Sequence, residues 1–174
     1  GIMSQGPISL QEARKMSKEE KEQLIRAIEQ KAYDNEVKYW GCSQAVLEAL
    51  QQYLDLGNGE AFRAATGLAG GVGNTREVCG ALAAGAMAIG LAYGRTKFED
   101  GKVAMEQPEF METRVRTGKL CDRFKEKFGS LRCSDVRPSV REAGVEEYTR
   151  FNTVEAFEDH AKCANVTGPV ARFA

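Results

Sequence analysis

The chain has 174 residues, with 24 Lys and Arg against 25 Asp and Glu, one His and a formal charge of -1. The two signs of charge are interspersed and no Lys/Arg run occurs, so the electrostatic attraction that drives phosphate-backbone binding is missing and nucleic acid is not an expected partner. The length suits one packed domain, and five cysteines in a chain of this size do not read as the disulfide framework of a small secreted fold.

Residues 1–16 read as a loose lead-in and residues 17–174 as one helical domain. The opening segment has neither the apolar stretch of a signal peptide nor the arginine-rich, acid-poor character of a transit peptide, which makes the cytoplasm the expected compartment. Ser17-Lys18-Glu19-Glu20 is a capping box, and Leu24, Ile25, Ile28 and Ala32 then recur at helical spacing, predicting a helix to about residue 34. Trp40-Gly41 breaks the pattern. Cys42 opens a second helix with Ala45, Val46, Leu47, Leu50, Tyr53 and Leu54 as apolar positions, stopped at Gly57-Asn58-Gly59. A short third helix is predicted from Glu60 to about residue 68.

Gly70-Gly71-Val72-Gly73 is a turn leading to Asn74-Thr75-Arg76-Glu77, a second candidate capping box with Asn74 as the cap and Cys79 at the helix start. The helix that follows has small residues, Gly80, Ala81, Ala84, Gly85 and Ala88, that let neighbours approach closely, and it is predicted to be central. Its apolar stretch, residues 78–93, is shorter than the roughly 20 residues that span a bilayer, so membrane insertion is not expected. Residues 95–108 read as a charged surface connection, and residues 109–128 as a helix carrying Phe110, Val115, Leu120, Cys121, Phe124 and Phe128. The stretch around Cys133 and Pro138 is too broken for a long helix, which makes Cys133 a loop cysteine. Asn152-Thr153-Val154-Glu155 starts the last helix, which Pro169 is expected to kink or end. No alternating strand pattern occurs. The predicted fold is all-α: a single-domain bundle of five or six helices with a glycine-rich turn before the central apolar helix.

A lone cysteine is most simply a small apolar filler. Cys42 and Cys79 differ in that both fall at helix starts, where the positive end of the helix dipole favours a thiolate. Cys133 is a third outside regular structure, whereas Cys121, between Leu120 and Phe124, reads as core. Cys163 follows His160 by three residues and shares a helical face with it, a two-donor metal candidate set against a structural histidine. No C-x-x-C occurs, and ferredoxin and zinc-ribbon spacings are absent, so any four-cysteine site must be assembled by the tertiary fold. Arg76, beside the start of the Cys79 helix, is a candidate for holding an anion or a thiolate, against the simpler reading of a solvated arginine.

Taken in order, Tyr39-Trp40-Gly41-Cys42-Ser43-Gln44-Ala45-Val46, Glu77-Val78-Cys79-Gly80-Ala81, Phe128-Gly129-Ser130-Leu131-Arg132-Cys133 and Lys162-Cys163 resemble the C-GCAxxG-C-C family of redox-active proteins over most of the chain. The motif around Cys79 departs from the family form, with Val78 before the cysteine, Gly80 after it and Ala83 where the later glycine would stand. The resemblance implies that Cys42, Cys79, Cys133 and Cys163 form the redox site, with a redox partner protein of unknown identity. A related domain occurs in split-Soret-type cytochromes, where a cysteine-ligated iron-sulfur centre is associated with it.

Two mechanisms follow from that resemblance. If the four thiolates converge, they hold a [2Fe-2S] cluster and the protein is a one-electron carrier. Otherwise two cysteines, Cys42 and Cys79, cycle between dithiol and disulfide, with a low-pKa thiolate attacking and a second thiol resolving. A zinc-stabilised helical scaffold without turnover is the third reading. A homodimer is compatible with all three.

Overall fold

A computed structural model describes residues 6–136 and 154–174, with the helical backbone alone for residues 154–162. In chain order the elements are α1 (Leu10–Lys15), α2 (Lys18–Tyr39), α3 (Cys42–Tyr53), α4 (Gly59–Ala64), a 3-10 turn (Ala65–Leu68), α5 (Gly80–Tyr93), a 3-10 turn (Ala104–Glu106), α6 (Pro108–Phe128), α7 (Cys133–Val136) and α8 (Val154–Phe173). The all-α class is as expected. Among the described residues there is no sheet, only the isolated bridges Ile8 with Leu54 and Val78 with Arg132.

The expectation of five or six helices is corrected to eight among the described residues. The two that sequence periodicity did not show are α1 and α7, each too short to display a 3.6-residue repeat. Ser9 caps α1 by accepting from the Glu12 amide, and Ile8 is tied to the end of α3 by bonds of 3.0 Å to the Tyr53 carbonyl and 2.8 Å from the Asp55 amide. Cys133, expected in a loop, opens the single turn of α7, where the Arg132 carbonyl accepts from the amides of Asp135 and Val136.

The capping box at Ser17 forms in full, the Glu20 amide donating to Ser17 Oγ at 3.1 Å and the Ser17 amide to Glu20 Oε2 at 3.0 Å. Leu24, Ile28 and Ala32 are buried, and α2 runs beyond residue 34 to Tyr39 because Glu36 continues the same inward stripe. α2 packs on α8 and α3, and α5 lies between α3 and α6. The small residues of α5 allow this: a methyl at Gly85 would stand 2.8 Å from Leu120 Cδ2 and 3.2 Å from Val170 Cγ1.

Pro169 does not end the last helix, which continues to Phe173. Val170 and Ala171 beyond it are buried, and Thr167 Oγ1 donates to the Ala32 carbonyl at 3.1 Å, so packing against α2 outweighs the bond that proline removes. Pro138 and the capping box at Asn152 lie outside the described residues, as does the side chain of His160. Among the described residues no helix is long and apolar enough to cross a membrane.

Candidate functional site

Two irregular backbone segments face each other. Trp40 and Gly41 have φ of 61° and 88°, and this left-handed pair turns α2 into α3 and sets Cys42 at the first position of α3. Opposite, residues 70–74 have five successive positive φ values between 58° and 72°. Three of those residues are glycine, but Val72 is β-branched and adopts this region against its own sterics, at about 1–2 kcal/mol. Backbone bonds hold the turn: the Gly73 amide donates to the Gly67 carbonyl at 2.9 Å, and the Arg76 amide to the Gly70 carbonyl at 3.0 Å.

Asn74, expected as a helix cap, is part of this turn, and Cys79 is itself the N-cap residue of α5. The reason is a competing pairing. The Cys79 amide donates to the Leu131 carbonyl at 2.9 Å, the Cys133 amide to the Glu77 carbonyl at 2.6 Å, and the Ser134 amide to the Arg76 carbonyl at 3.0 Å. An Arg132–Glu77 ion pair at 3.0 Å lies on the outside of this clip. Cys79 and Cys133 are thus fixed beside each other. Glycine permits the close approach on both flanks, since a methyl at Gly71 would meet Cys133 Cβ at 2.8 Å and one at Gly80 would meet Cys42 Sγ at 2.7 Å.

Cys42, Cys79, Cys133 and Cys163 all line one cavity of about 390 Å³, with Glu36, Trp40 and Arg76 in the same wall. All five cysteines are thiols, and Cys121 sits apart, half-buried on α6 against the core. Trp40, read from the sequence as a break between helices and as part of the run that resembles the family, is a wall residue of the cavity. Arg76 is half-buried, with guanidinium Nη2 enclosed, which differs from the solvated arginine the sequence favours.

Burial pushes the Cys42 thiol up to about 11, the Glu36 carboxylate and Cys133 add to this, and hydrogen bonds with the backbone of Gly70 and Ser43 pull against it. Cys79 is pushed up further, first by burial and then by Cys42 and Cys133, against backbone hydrogen bonds from Leu82 and Ala81 in the first turn of α5. The expected low-pKa thiolate at the helix starts is therefore corrected. A helix terminus contributes about 0.3–1 kcal/mol, whereas full burial shifts a group by up to about 3–5 pKa units, each near 1.4 kcal/mol, so desolvation wins.

The metal expectations are corrected too. Among the described residues no group of three His, Cys, Asp or Glu side chains is placed to hold a metal ion, so neither a [2Fe-2S] cluster nor zinc fits Cys42, Cys79, Cys133 and Cys163. The four thiols line the cavity from four separate elements, α3, the N-cap of α5, α7 and α8. The iron-sulfur electron-carrier reading falls with the cluster.

Glu36, 1 % exposed, is the cavity residue that sequence reasoning passed over. The signal was present: residues 24, 28, 32 and 36 form one i+4 stripe, and an acidic residue closing an apolar stripe marks an inward-facing charge.

A family model with the description "Putative redox-active protein (C_GCAxxG_C_C)" matches residues 40–174. No curated protein and no solved structure matches the chain.

Proposed function

Because this chain belongs to the C_GCAxxG_C_C redox family, we propose that it works as a metal-free thiol-disulfide exchange protein, with Cys42 as the attacking thiol and Cys79 as the resolving one. The observation that carries this reading is that Cys42, Cys79 and Cys133 share one cavity and lie near enough for charge on one to oppose ionisation of another. Cys42 is the more exposed of the first two and the less strongly raised, as suits the thiol that meets a substrate; Cys79 is 6 % exposed.

The reaction balances without any bound group. Cys42 sulfur attacks one sulfur of a substrate disulfide, the substrate S–S bond breaks and one thiol leaves. Cys79 sulfur then attacks Cys42 sulfur, releasing the second thiol and leaving a Cys42–Cys79 disulfide. The two electrons pass to the substrate sulfurs, and the two thiol protons go with them. The reading extends to a separate redox protein that restores the dithiol, and to a reducing, cytoplasmic setting. The resemblance to the cysteine-rich domain of split-Soret-type cytochromes supports the redox class only.

Incubation of the reduced protein with glutathione disulfide, acid trapping and peptide mapping tests the reading. A Cys42–Cys79 disulfide that dithiothreitol reverses is expected, with Cys79→Ser arrested as a glutathione adduct on Cys42. An intact set of thiols after full incubation, or a disulfide that omits Cys42, would overturn it.

A further inference from the structure

We propose that the Glu36 carboxylate is the proton acceptor for the Cys42 thiol, a further working residue of the site; the inference rests on the exchange reading above. Glu36 lies in the last turn of α2, is 1 % exposed, and lines the same cavity as Cys42. The left-handed Trp40-Gly41 turn is what places the end of α2 beside the start of α3. An ionisable carboxylate in an apolar interior is costly, and this one opens onto a cavity of thiols instead of onto the solvated side of its helix. It also precedes the residues covered by the family match, so family membership does not supply it.

The chemistry at Cys42 asks for such a group. With its thiol raised to about 11, only about one in ten thousand Cys42 side chains is ionised at neutral pH, and the thiolate is the nucleophile. As Cys42 sulfur forms its bond to the electrophilic sulfur of a disulfide, the S–H proton passes to Glu36. The substrate S–S electron pair leaves on the departing sulfur, and Glu36 returns the proton to it. Glu36 ends the step in its starting form. Among the described residues, besides Cys42 on α3, the titratable and charged groups around the cavity with this carboxylate are Arg76 after the glycine turn, Cys79 at the N-cap of α5, Cys133 on α7 and Cys163 on α8. Arg76 is the one cationic side chain among these, opposite in sign to the carboxylate.

The test is the pH dependence of Cys42 alkylation by iodoacetamide, followed at that residue by peptide mass spectrometry in the full chain. With Glu36 taking the proton, the wild-type rate is nearly flat through the neutral range. In Glu36→Gln the flat region is lost and the rate climbs about tenfold per pH unit, even though removal of the charge that helps to raise the Cys42 thiol favours ionisation, and Glu36→Asp restores part of the flat region. A purely structural role for Glu36 leaves the slope unaltered. A unit slope in the wild type overturns the proposal and needs no variant, so a Glu36→Gln protein that fails to fold does not shield it. Alkylation requires no disulfide substrate. A flat, Glu36-dependent profile in a protein inert to glutathione disulfide keeps this inference and sinks the exchange reading, and exchange with a Glu36-independent profile does the reverse.

Discussion

Cys42 Sγ stands 2.7 Å from the point where a Cβ on residue 80 would lie, so Gly80 and Cys42 occupy adjoining parts of one van der Waals space. The same added methyl would meet the Leu68 carbonyl oxygen at 2.5 Å, and that atom belongs to backbone that cannot swing aside. Gly80→Ala is therefore expected to destabilise the fold by about 1–3 kcal/mol and to push the Cys42 sulfur out of its seat. Thermal unfolding measures the first effect and the alkylation rate of Cys42 the second. Unchanged values for both would mean that α5 can slide away from the turn without cost.

Raised thiols make the reduced protein alkali-sensitive. Below the ordinary thiol range, near 9, Cys42 is protonated whether the chain is folded or not, and contributes no pH dependence. Between about 9 and about 11 the unfolded chain ionises while the folded one does not, so unfolding is favoured as pH rises. The shift is worth about 3 kcal/mol from Cys42, and Cys79, raised further, adds to it. Urea denaturation across this range is expected to show the loss in the reduced protein and to lose the thiol contribution once Cys42 and Cys79 are joined. A flat alkaline limb in the reduced form would show that water reaches both sulfurs.

Val72 offers a gain instead of a loss. Its φ is 64° and its side chain is 45 % exposed, so little packing offsets the clash of a β-branched residue in the left-handed region. Val72→Gly removes about 1–2 kcal/mol of strain and gives back about 0.5–1 kcal/mol in unfolded-chain entropy. A net stabilisation of up to about 1 kcal/mol is expected from denaturant titration. A destabilised variant would place unrecognised packing on the Val72 side chain.

What was legible in the sequence follows from the range of the interactions involved. Helices α2, α3 and α6 are readable because their apolar stripes and end signals are local, α5 because its run of small apolar residues is, and the capping box at Ser17 forms as spelled. The Asn74 capping box did not, because Glu77 and Cys79 pair with residues 131 and 133 more than fifty positions away, and no local signal encodes that. The gathering of Cys133 and Cys163 beside Cys42 and Cys79 was reached only through the family resemblance, since it depends on how α7 and α8 dock. The sign of the thiol shifts is not legible for a related reason. A helix start is visible in sequence, but the depth of burial that outweighs it belongs to the tertiary structure.

That same burial sets how the redox couple responds to pH. While Cys42 and Cys79 are both neutral thiols, forming their disulfide releases two protons with two electrons. Each tenfold change in equilibrium is about 29.6 mV for a two-electron couple, so two protons give a fall of about 59 mV per pH unit. In an ordinary dithiol the slope relaxes once the thiols ionise near pH 8.5. Here it is expected to persist until Cys42 begins to ionise close to 11. Equilibrating the protein against dithiothreitol buffers of known potential at a series of pH values, and quantifying the Cys42–Cys79 disulfide by mass spectrometry, measures it. A bend between pH 8 and 9 would assign ordinary, solvated thiols to the cavity and remove the need for any internal proton acceptor, Glu36 included.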